Sequence, residues 1–355
     1  MIILLYFATK LRPKSKKLSN FDHNFNDKMK KTLFYILCLL PLTAVKAQES
    51  ASGYNTLKLP TSARVAALGG ENISIIEDDA AIAWHNPALL SNVSSNTLGL
   101  GFMTYFAESQ WMGAQYVRAF GERHTGSIVA QMMNFGEADE TDAQGNVLGS
   151  YTAKDIYIAP SYSYLFSDKW SGGATLKFAF SNYADYSAMA VGVDLGLNYF
   201  DEEKDLSISA TLKNIGAELS SFHEREQHLP FVAQVGFTKG LEHLPLRFSV
   251  TMTDLTRWSS RYDFIEEEGK DKLSFSKKLL NHIIVGADYF LTDNISLSAG
   301  YNFRRAYELK TAGSAKGAGL TAGATLRLKR FMVSGAYAKY HKSTASLMFN
   351  VNYTL

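Results

Sequence analysis

The chain has 355 residues, of which 46% are hydrophobic, and its formal net charge is +2 at pH 7. Residues 48–355 alone carry a net charge of −5, because nine of the 36 basic residues but only two of the 34 acidic ones precede residue 48. This composition offers no basic surface for nucleic acid. After residue 47 no apolar run approaches the length of a transmembrane helix.

The first 47 residues have the layout of a secretory leader. Lys30 and Lys31 precede the apolar run Leu33–Leu42, and a small-residue cleavage site follows. We therefore interpret residues 29–47 as a signal peptide. Residues 1–28 have no place in this layout, and we interpret them as a stretch upstream of the true start.

Residues 48–95 differ from the rest of the mature chain, because small residues and turn formers replace the alternation of strands. An asparagine before a proline is a good cap for a short helical turn. We predict short helices and turns here, forming an N-terminal plug. The residues that we single out in this segment are Gly69, Gly70, Asn86, Pro87 and Ala88.

From residue 96 to residue 355 the sequence repeats a period-two alternation, which places apolar side chains on one face of each strand. In the last strand, Leu347, Phe349 and Val351 alternate with less apolar residues. The candidate strands lie near 97–106, 109–120, 124–136, 155–166, 169–181, 187–200, 205–213, 230–239, 245–253, 282–291, 294–304, 317–328, 331–340 and 343–355. A final strand has no later partner, and closure onto the first strand removes both edges. We predict an all-β fold, a 14-stranded antiparallel transmembrane β-barrel with a short helical or irregular N-terminal plug.

The connections give an independent indication of the same architecture. Every second connection is short, whereas the three longest, Glu137–Lys154, Asn214–Leu229 and Asp254–Asn281, all fall in the other set. Outer-membrane barrels separate short periplasmic turns from long outer loops in this way. The pattern predicts an outer-membrane location with the N-terminus in the periplasm. A helix hairpin could lie within one of the long loops, and Ser276–Asn281 is the best place for it.

Charged residues within the strands fall on the face opposite the apolar one, so they are predicted to face the lumen. A charge facing lipid would cost about 2–4 kcal/mol at the midplane. Such charges either pair with one another or with the plug, or they line a transport path, and the sequence leaves both open. The predicted lumenal charges are Lys177, Asp194, Lys213, Arg247, Asp288 and Arg327.

No catalytic constellation accompanies this pattern. The chain has no nucleophile elbow, no phosphate-binding loop and no metal-ligand spacing. We therefore predict no catalytic, cofactor-binding or metal-binding residue, and a protein that is not an enzyme.

The plug resembles a known family. The ordered segments Leu59–Arg64, Ala67–Gly70 and Asn86–Leu89 are similar to the start of the PorV/PorQ family, FadL-like outer-membrane barrels of the Bacteroidetes type IX secretion system. The residues around Glu140–Gly149, ending at Asp155, are closer to the PorQ branch. The final residue, Leu355, departs from the terminal Phe or Tyr that such barrels commonly carry.

The resemblance implies a non-enzymatic role in the attachment of secreted cargo at the cell surface. It implies as partners a PorZ-like surface protein and PorU/PorV-like secretion subunits, besides outer-membrane lipid. Outer loops would make these contacts. In the loop 254–281, Trp258, Tyr262 and Phe264 are aromatic residues of the kind enriched in binding hot spots, although they could also pack that loop on itself.

Two other functions remain open from the sequence. The first is a FadL-like channel for hydrophobic small molecules, which would need an apolar pocket and a lateral opening. Pro160 could kink the fourth strand to make one, because proline cannot donate to the ladder. The second is a soluble, secreted all-β protein.

Overall fold

A computed structural model describes residues 54–142, 144–221, 227–258, 274–311, 313, 317–341 and 344–355. The predicted signal peptide 29–47 and the predicted upstream stretch 1–28 lie outside these ranges. None of the helices in the described ranges is long and apolar enough to cross a membrane.

The described strands form one closed antiparallel barrel, which confirms the predicted fold class. The last strand pairs with the first from Thr97 opposite Thr354 to Met103 opposite Met348, so the sheet closes as the sequence indicated. The strands are β1 Thr97–Thr104, β2 Gln110–Ala119, β3 His124–Thr141, β4 Val147–Ser167, β5 Trp170–Tyr183, β6 Tyr186–Asp201, β7 Leu206–Ser220, β8 Val232–Gly240, β9 Leu246–Met252, β10 Ile283–Phe290, β11 Ile295–Asn302, β12 Leu320–Arg327, β13 Phe331–Ala338 and β14 Ser346–Thr354.

The barrel wall is much taller on one side than on the other. Strands β3 to β7 have 14 to 21 residues, whereas β8 to β14 have seven to nine. The predicted loop Glu137–Lys154 is therefore wrong over most of its length. The β3–β4 ladder continues from Glu137 opposite Thr152 to Thr141 opposite Val147. Both faces of this extension are largely exposed, so it lacks the apolar alternation that marks the strands below it.

The two faces of the wall differ as predicted. Leu98 and Leu100 of β1 and Phe248 and Val250 of β9 point outward and are 39–53% exposed. Ser, Thr, Asn and charged side chains occupy the alternate, buried positions. An exposed apolar belt around a closed barrel is the surface that a bilayer covers.

The plug fills the lumen of this barrel. It contains the 3-10 helices Asn55–Lys58, Ala80–Trp84 and Pro87–Asn92 and the α-helix Ala63–Ala67. These elements contact strands β1 to β6 and β11 to β14, and most of their side chains are buried. The plug begins near the barrel end with the longer connections, since Tyr54 donates a hydrogen bond to Glu218 near the end of β7. The position of the N-terminus itself concerns residues outside the described ranges and stays a prediction.

Two further helices lie at the end with the longer connections. The helix Phe275–Asn281 agrees with the predicted helical site at Ser276–Asn281. The helix Phe303–Thr311 was not predicted, because the apolar alternation of β11 runs directly into it. In this helix Ala306 and Leu309 are buried against the barrel mouth.

Candidate binding site at the barrel mouth

The singled-out plug residues have structural roles. Asn86 caps the helix Pro87–Asn92 by accepting from the Ala88 backbone N–H at 3.0 Å. Gly69 and Gly70 have φ of +100° and +94°, which favour glycine. At Gly69 a Cβ would also lie 2.3 Å from Cγ2 of Ile284 in the wall. The motif therefore fixes how the plug folds and fits.

An ion-pair cluster joins the plug to the wall near the end with the short turns. Glu77 of the plug accepts from Arg64 at 2.7 Å, from Arg327 at 2.7 Å and from Arg247. Asp288 of β10 forms an ion pair with Arg64 at 3.0 Å and accepts a hydrogen bond from Arg247 at 3.0 Å. Burial alone would raise the pKa of Glu77, but the three guanidinium groups outweigh it and hold that pKa well below its ordinary value. Three arginines and two carboxylates thus form one connected network.

A second ion pair joins two neighbouring strands of the wall. Lys177 of β5 lies 2.6 Å from Asp194 of β6, donates to Asn214 at 2.9 Å and stacks over the Trp84 ring of the plug at 4.0 Å. The β6–β7 register shifts here, so that Asp194 faces both Lys213 and Asn214. All six charges predicted to be lumenal thus lie on the inner face, and five of them contact the plug or each other.

The remaining predicted charge, Lys213, lines a small cavity with His85 and Glu71. Burial and the nearby Lys213 and Lys177 ammonium groups hold the pKa of His85 well below its ordinary value. The imidazole is therefore neutral, and its Nε2 lies 3.3 Å from the Thr61 backbone N–H that it can accept from.

Above the plug, a cavity of about 430 Å³ opens at the mouth of the barrel. Its apolar walls are aromatic rings from the plug, the β1–β2 connection and the tall wall. Two of the rings, Phe135 and Tyr183, pack with their centroids 5.8 Å apart. The aromatic lining residues are Tyr54, Tyr105, Phe106, Phe135 and Tyr183.

One carboxylate, that of Asp155, lines this mouth cavity, and a second, that of Glu218, is hydrogen-bonded to two of the lining residues. Asp155, which is 2% exposed, accepts from Thr56 at 2.8 Å, Ser181 at 2.6 Å and Tyr183 at 3.0 Å. Glu218 accepts from the Tyr54 hydroxyl at 3.0 Å and from the Gln227 backbone N–H at 2.8 Å. Burial and Glu218 raise the pKa of Tyr54 well above its ordinary value, so the phenol keeps the proton that it donates.

In the part of the chain that the structure describes, the β7–β8 pairing stops short of the cavity. The β7–β8 ladder ends at Lys213 opposite Val232, whereas β7 continues upward to Ser220. Among the described residues, the upper half of β7 thus pairs only with β6. Pro160 interrupts the β4–β5 ladder without shifting its register, and the kink that it could make stays a prediction. Proline merely lacks the N–H that the ladder would use there.

The predicted contact loop is only partly described. Trp258 is 39% exposed, and its ring packs against His282 at 4.2 Å and against Phe275 at 6.4 Å between centroids. Tyr262 and Phe264 lie outside the described residues. Partner contact by this loop therefore stays a prediction.

Sequence reasoning missed the cavity residues. Asp155 lies on the inner face of β4, two residues before Tyr157, and its position could have been found by continuing the alternation of β4 upward. The contacts across strands to Ser181 and to the plug have no local signal. No group of three or more metal-binding side chains occurs in the ranges that the structure describes.

Solved structures with a similar fold are outer-membrane-type barrels. The Pseudomonas putida toluene transporter TodX is 13% identical, with a TM-score of 0.52, and the match covers 83% of this chain and 96% of that one. A Pseudomonas aeruginosa FadL homologue is 11% identical with a TM-score of 0.51, covering 83% and 98%; the CymD monoaromatic hydrocarbon channel is 14% identical with a TM-score of 0.52, covering 85% and 98%. No family model and no curated protein matches the sequence. The FadL-like fold is confirmed, and the PorV/PorQ assignment stays a prediction.

Proposed function

We propose that this chain is an outer-membrane barrel that takes up small apolar molecules through the mouth cavity. The observation that carries the proposal is an aromatic cavity at one end of the barrel, next to an interrupted wall. Ligand pockets of about 300–1,000 Å³ lined by apolar and aromatic groups are typical of small-molecule sites. The exposed apolar belt supports membrane insertion, and the longer connections support an outward-facing mouth.

The plug in the lumen determines the route by which a bound ligand can leave the cavity. Ion pairs from Arg64 to Asp288 and from Glu77 to Arg247 and Arg327 hold the plug against the wall, so a ligand in the cavity has no straight path along the barrel axis through the described plug. The upper edge of β7 adjoins the cavity through Glu218 and Gln227. An apolar molecule would therefore leave sideways toward lipid, where its transfer is favourable.

Filling the cavity should block uptake. Asn55 lines the cavity, is exposed, and offers a site for a large side chain without breaking a buried contact. We expect Asn55→Trp to lower toluene uptake by about fivefold or more in cells that depend on this barrel, because the ring occupies ligand space. Asn294→Trp is the matched control, since Asn294 is exposed at the opposite end.

The measurement is accumulation of labelled toluene at equal amounts of folded barrel in the outer membrane. Two results would contradict the proposal. Asn55→Trp could leave toluene uptake unchanged, or cells with the wild-type barrel could take up no more toluene than cells without it.

A second candidate function is supported by the filled lumen and by the tall wall β3 to β7. In this role the barrel is a non-enzymatic anchor of the type IX secretion system. The mouth and outer loops would hold a PorZ-like surface protein near PorU/PorV-like subunits, as the plug resemblance implies. Crosslinked pull-down from intact outer membranes tests these partners. If deletion of the gene for this barrel leaves cargo unprocessed or unattached while toluene uptake stays normal, this candidate is favoured over the first.

A further inference from the structure

At the polar side of the mouth cavity, several hydroxyl groups donate their protons to carboxylates. Each hydroxyl carries a single proton. Thr56, Ser181 and Tyr183 donate theirs to Asp155, and Tyr54 donates its own to Glu218. These hydroxyl oxygens can then offer only lone pairs to a ligand.

The charge around the cavity is negative as well. Among the described residues that line it, none is Lys, Arg or His. Two basic side chains of the described ranges contact rings at this end of the barrel: Arg305 stacks on Tyr340 at 4.3 Å, and the His341 ring stacks on Phe106 at 4.7 Å. The side-chain amides of Asn55 and Gln227 and the hydroxyl of Tyr105 are the other polar side-chain groups of the lining; each can donate and accept, so they favour neither sign of charge.

The aromatic walls of the cavity add to the preference for cations that its negative charge creates. The faces of Tyr and Phe rings carry negative partial charge and attract cations. A cavity with such faces, with the Asp155 carboxylate in its lining and with Glu218 bonded to the lining residue Tyr54, suits an organic cation or a donor-rich neutral head on an aromatic body. A carboxylate ligand would meet the lone pairs of the hydroxyls that donate to Asp155, and it would be repelled by the like charge of Asp155.

We propose that the mouth cavity selects small aromatic molecules with a cationic or hydrogen-bond-donating head group and rejects aromatic carboxylates. This inference rests on the proposed function and deepens it by naming the ligand class. Asp155 and Glu218 set the preference for the head group, and the rings hold the aromatic body.

A matched ligand series tests the inference on the purified full-length barrel in detergent. The three probes are 2-phenylethylammonium, 2-phenylethanol and phenylacetate, which share one ring and differ in head-group charge. Binding is measured by calorimetry at pH 7. We expect the ammonium to bind at least tenfold more tightly than phenylacetate, with the alcohol between them.

Two substitutions locate the source of this preference. Asp155→Asn and Glu218→Gln keep the shape of each side chain and remove its charge, so each should reduce the ammonium-to-phenylacetate ratio by about fivefold or more. Asp139→Asn is the control, because Asp139 is exposed on the same wall and does not line the cavity. Asp155→Asn and Glu218→Gln must both show the change in gel mobility on heating that the folded wild-type barrel shows.

Three outcomes would overturn the inference: phenylacetate binding as tightly as the ammonium, a ratio that both variants leave unchanged, or no binding of any probe. Toluene uptake is a separate measurement. Normal uptake without head-group preference removes this inference and leaves the proposed function, whereas absent uptake removes the proposed function itself.

Discussion

Replacing Glu77 by glutamine is expected to release the plug from the wall more strongly than any other single charge change in the lumen. Glu77 accepts from Arg64, Arg247 and Arg327 and is itself buried. Glutamine keeps the shape but leaves Asp288 as the remaining carboxylate in the cluster. Breaking a buried ionic network by removing one partner costs about 3–5 kcal/mol, because the opposite charges stay buried without compensation.

The measurement is hydrogen exchange of the plug helix Ala63–Ala67, which should accelerate by about two to four orders of magnitude if the plug undocks alone. Asp78→Asn is the matched control. Asp78 is adjacent in sequence but exposed, and it accepts hydrogen bonds from the backbone N–H and the hydroxyl of Ser94. Equal exchange in E77Q and the wild type would show that the arginine cluster does not hold the plug.

The stability difference between E77Q and the wild type should depend on pH in one direction. A carboxyl whose folded pKa lies below its unfolded value stabilises the fold above the unfolded pKa and loses that contribution as the pH falls. The difference should therefore be constant from about pH 8 to pH 5 and shrink below about pH 4. Asp79 titrates in both proteins: burial raises its pKa, the Glu77 carboxylate raises it further, and E77Q removes only that second contribution.

The sequence predicted the barrel well because every strand carries its own signal. Alternation along Leu98, Leu100 and Phe102 needs no knowledge of the neighbouring strand, and it indicates which face meets the lumen. The same alternation placed Lys177 and Asp288 inward. Where both faces of a strand meet water, as in β3 beyond Glu137, the alternation vanishes and the prediction was wrong.

The candidate site was less predictable, because it depends on contacts between distant parts of the chain. Asp155 is surrounded by hydroxyls from Thr56, Ser181 and Tyr183, which belong to the plug and to the neighbouring strand. Glu77 looks like one member of an acidic run until the fold brings three arginines to it. Alternation tells which face a residue is on, whereas pairing of charges and the shape of a cavity need the register between strands and plug.

Replacing Gly300 by alanine is expected to displace the plug by steric contact alone. A Cβ at this position in β11 would lie 2.3 Å from the Gly69 nitrogen and 2.4 Å from the Leu68 carbonyl carbon. These are backbone atoms, so no side-chain rotation relieves the contact. The neighbouring Thr321 hydroxyl donates to Ala67 and accepts from the Gly69 N–H at 3.0 Å, and a shift of the plug would break both bonds. Overpacking of this kind costs about 1–3 kcal/mol, to which the lost hydrogen bonds add.

Gly335→Ala in β13 separates this steric effect from the general consequence of adding a methyl group to a strand. Its Cβ would lie 3.6 Å from the Phe349 ring, which is ordinary contact, and it faces away from the plug. Gly335→Ala should therefore unfold in urea at the wild-type concentration or above, because alanine restricts the unfolded chain more than glycine does. Gly300→Ala should expose the plug helix to hydrogen exchange while the barrel keeps its mobility on gels. If hydrogen exchange of the plug helix is equally slow in Gly300→Ala and Gly335→Ala, the close approach of wall and plug at Gly69 does not determine the position of the plug. The ion-pair cluster alone must then hold the plug.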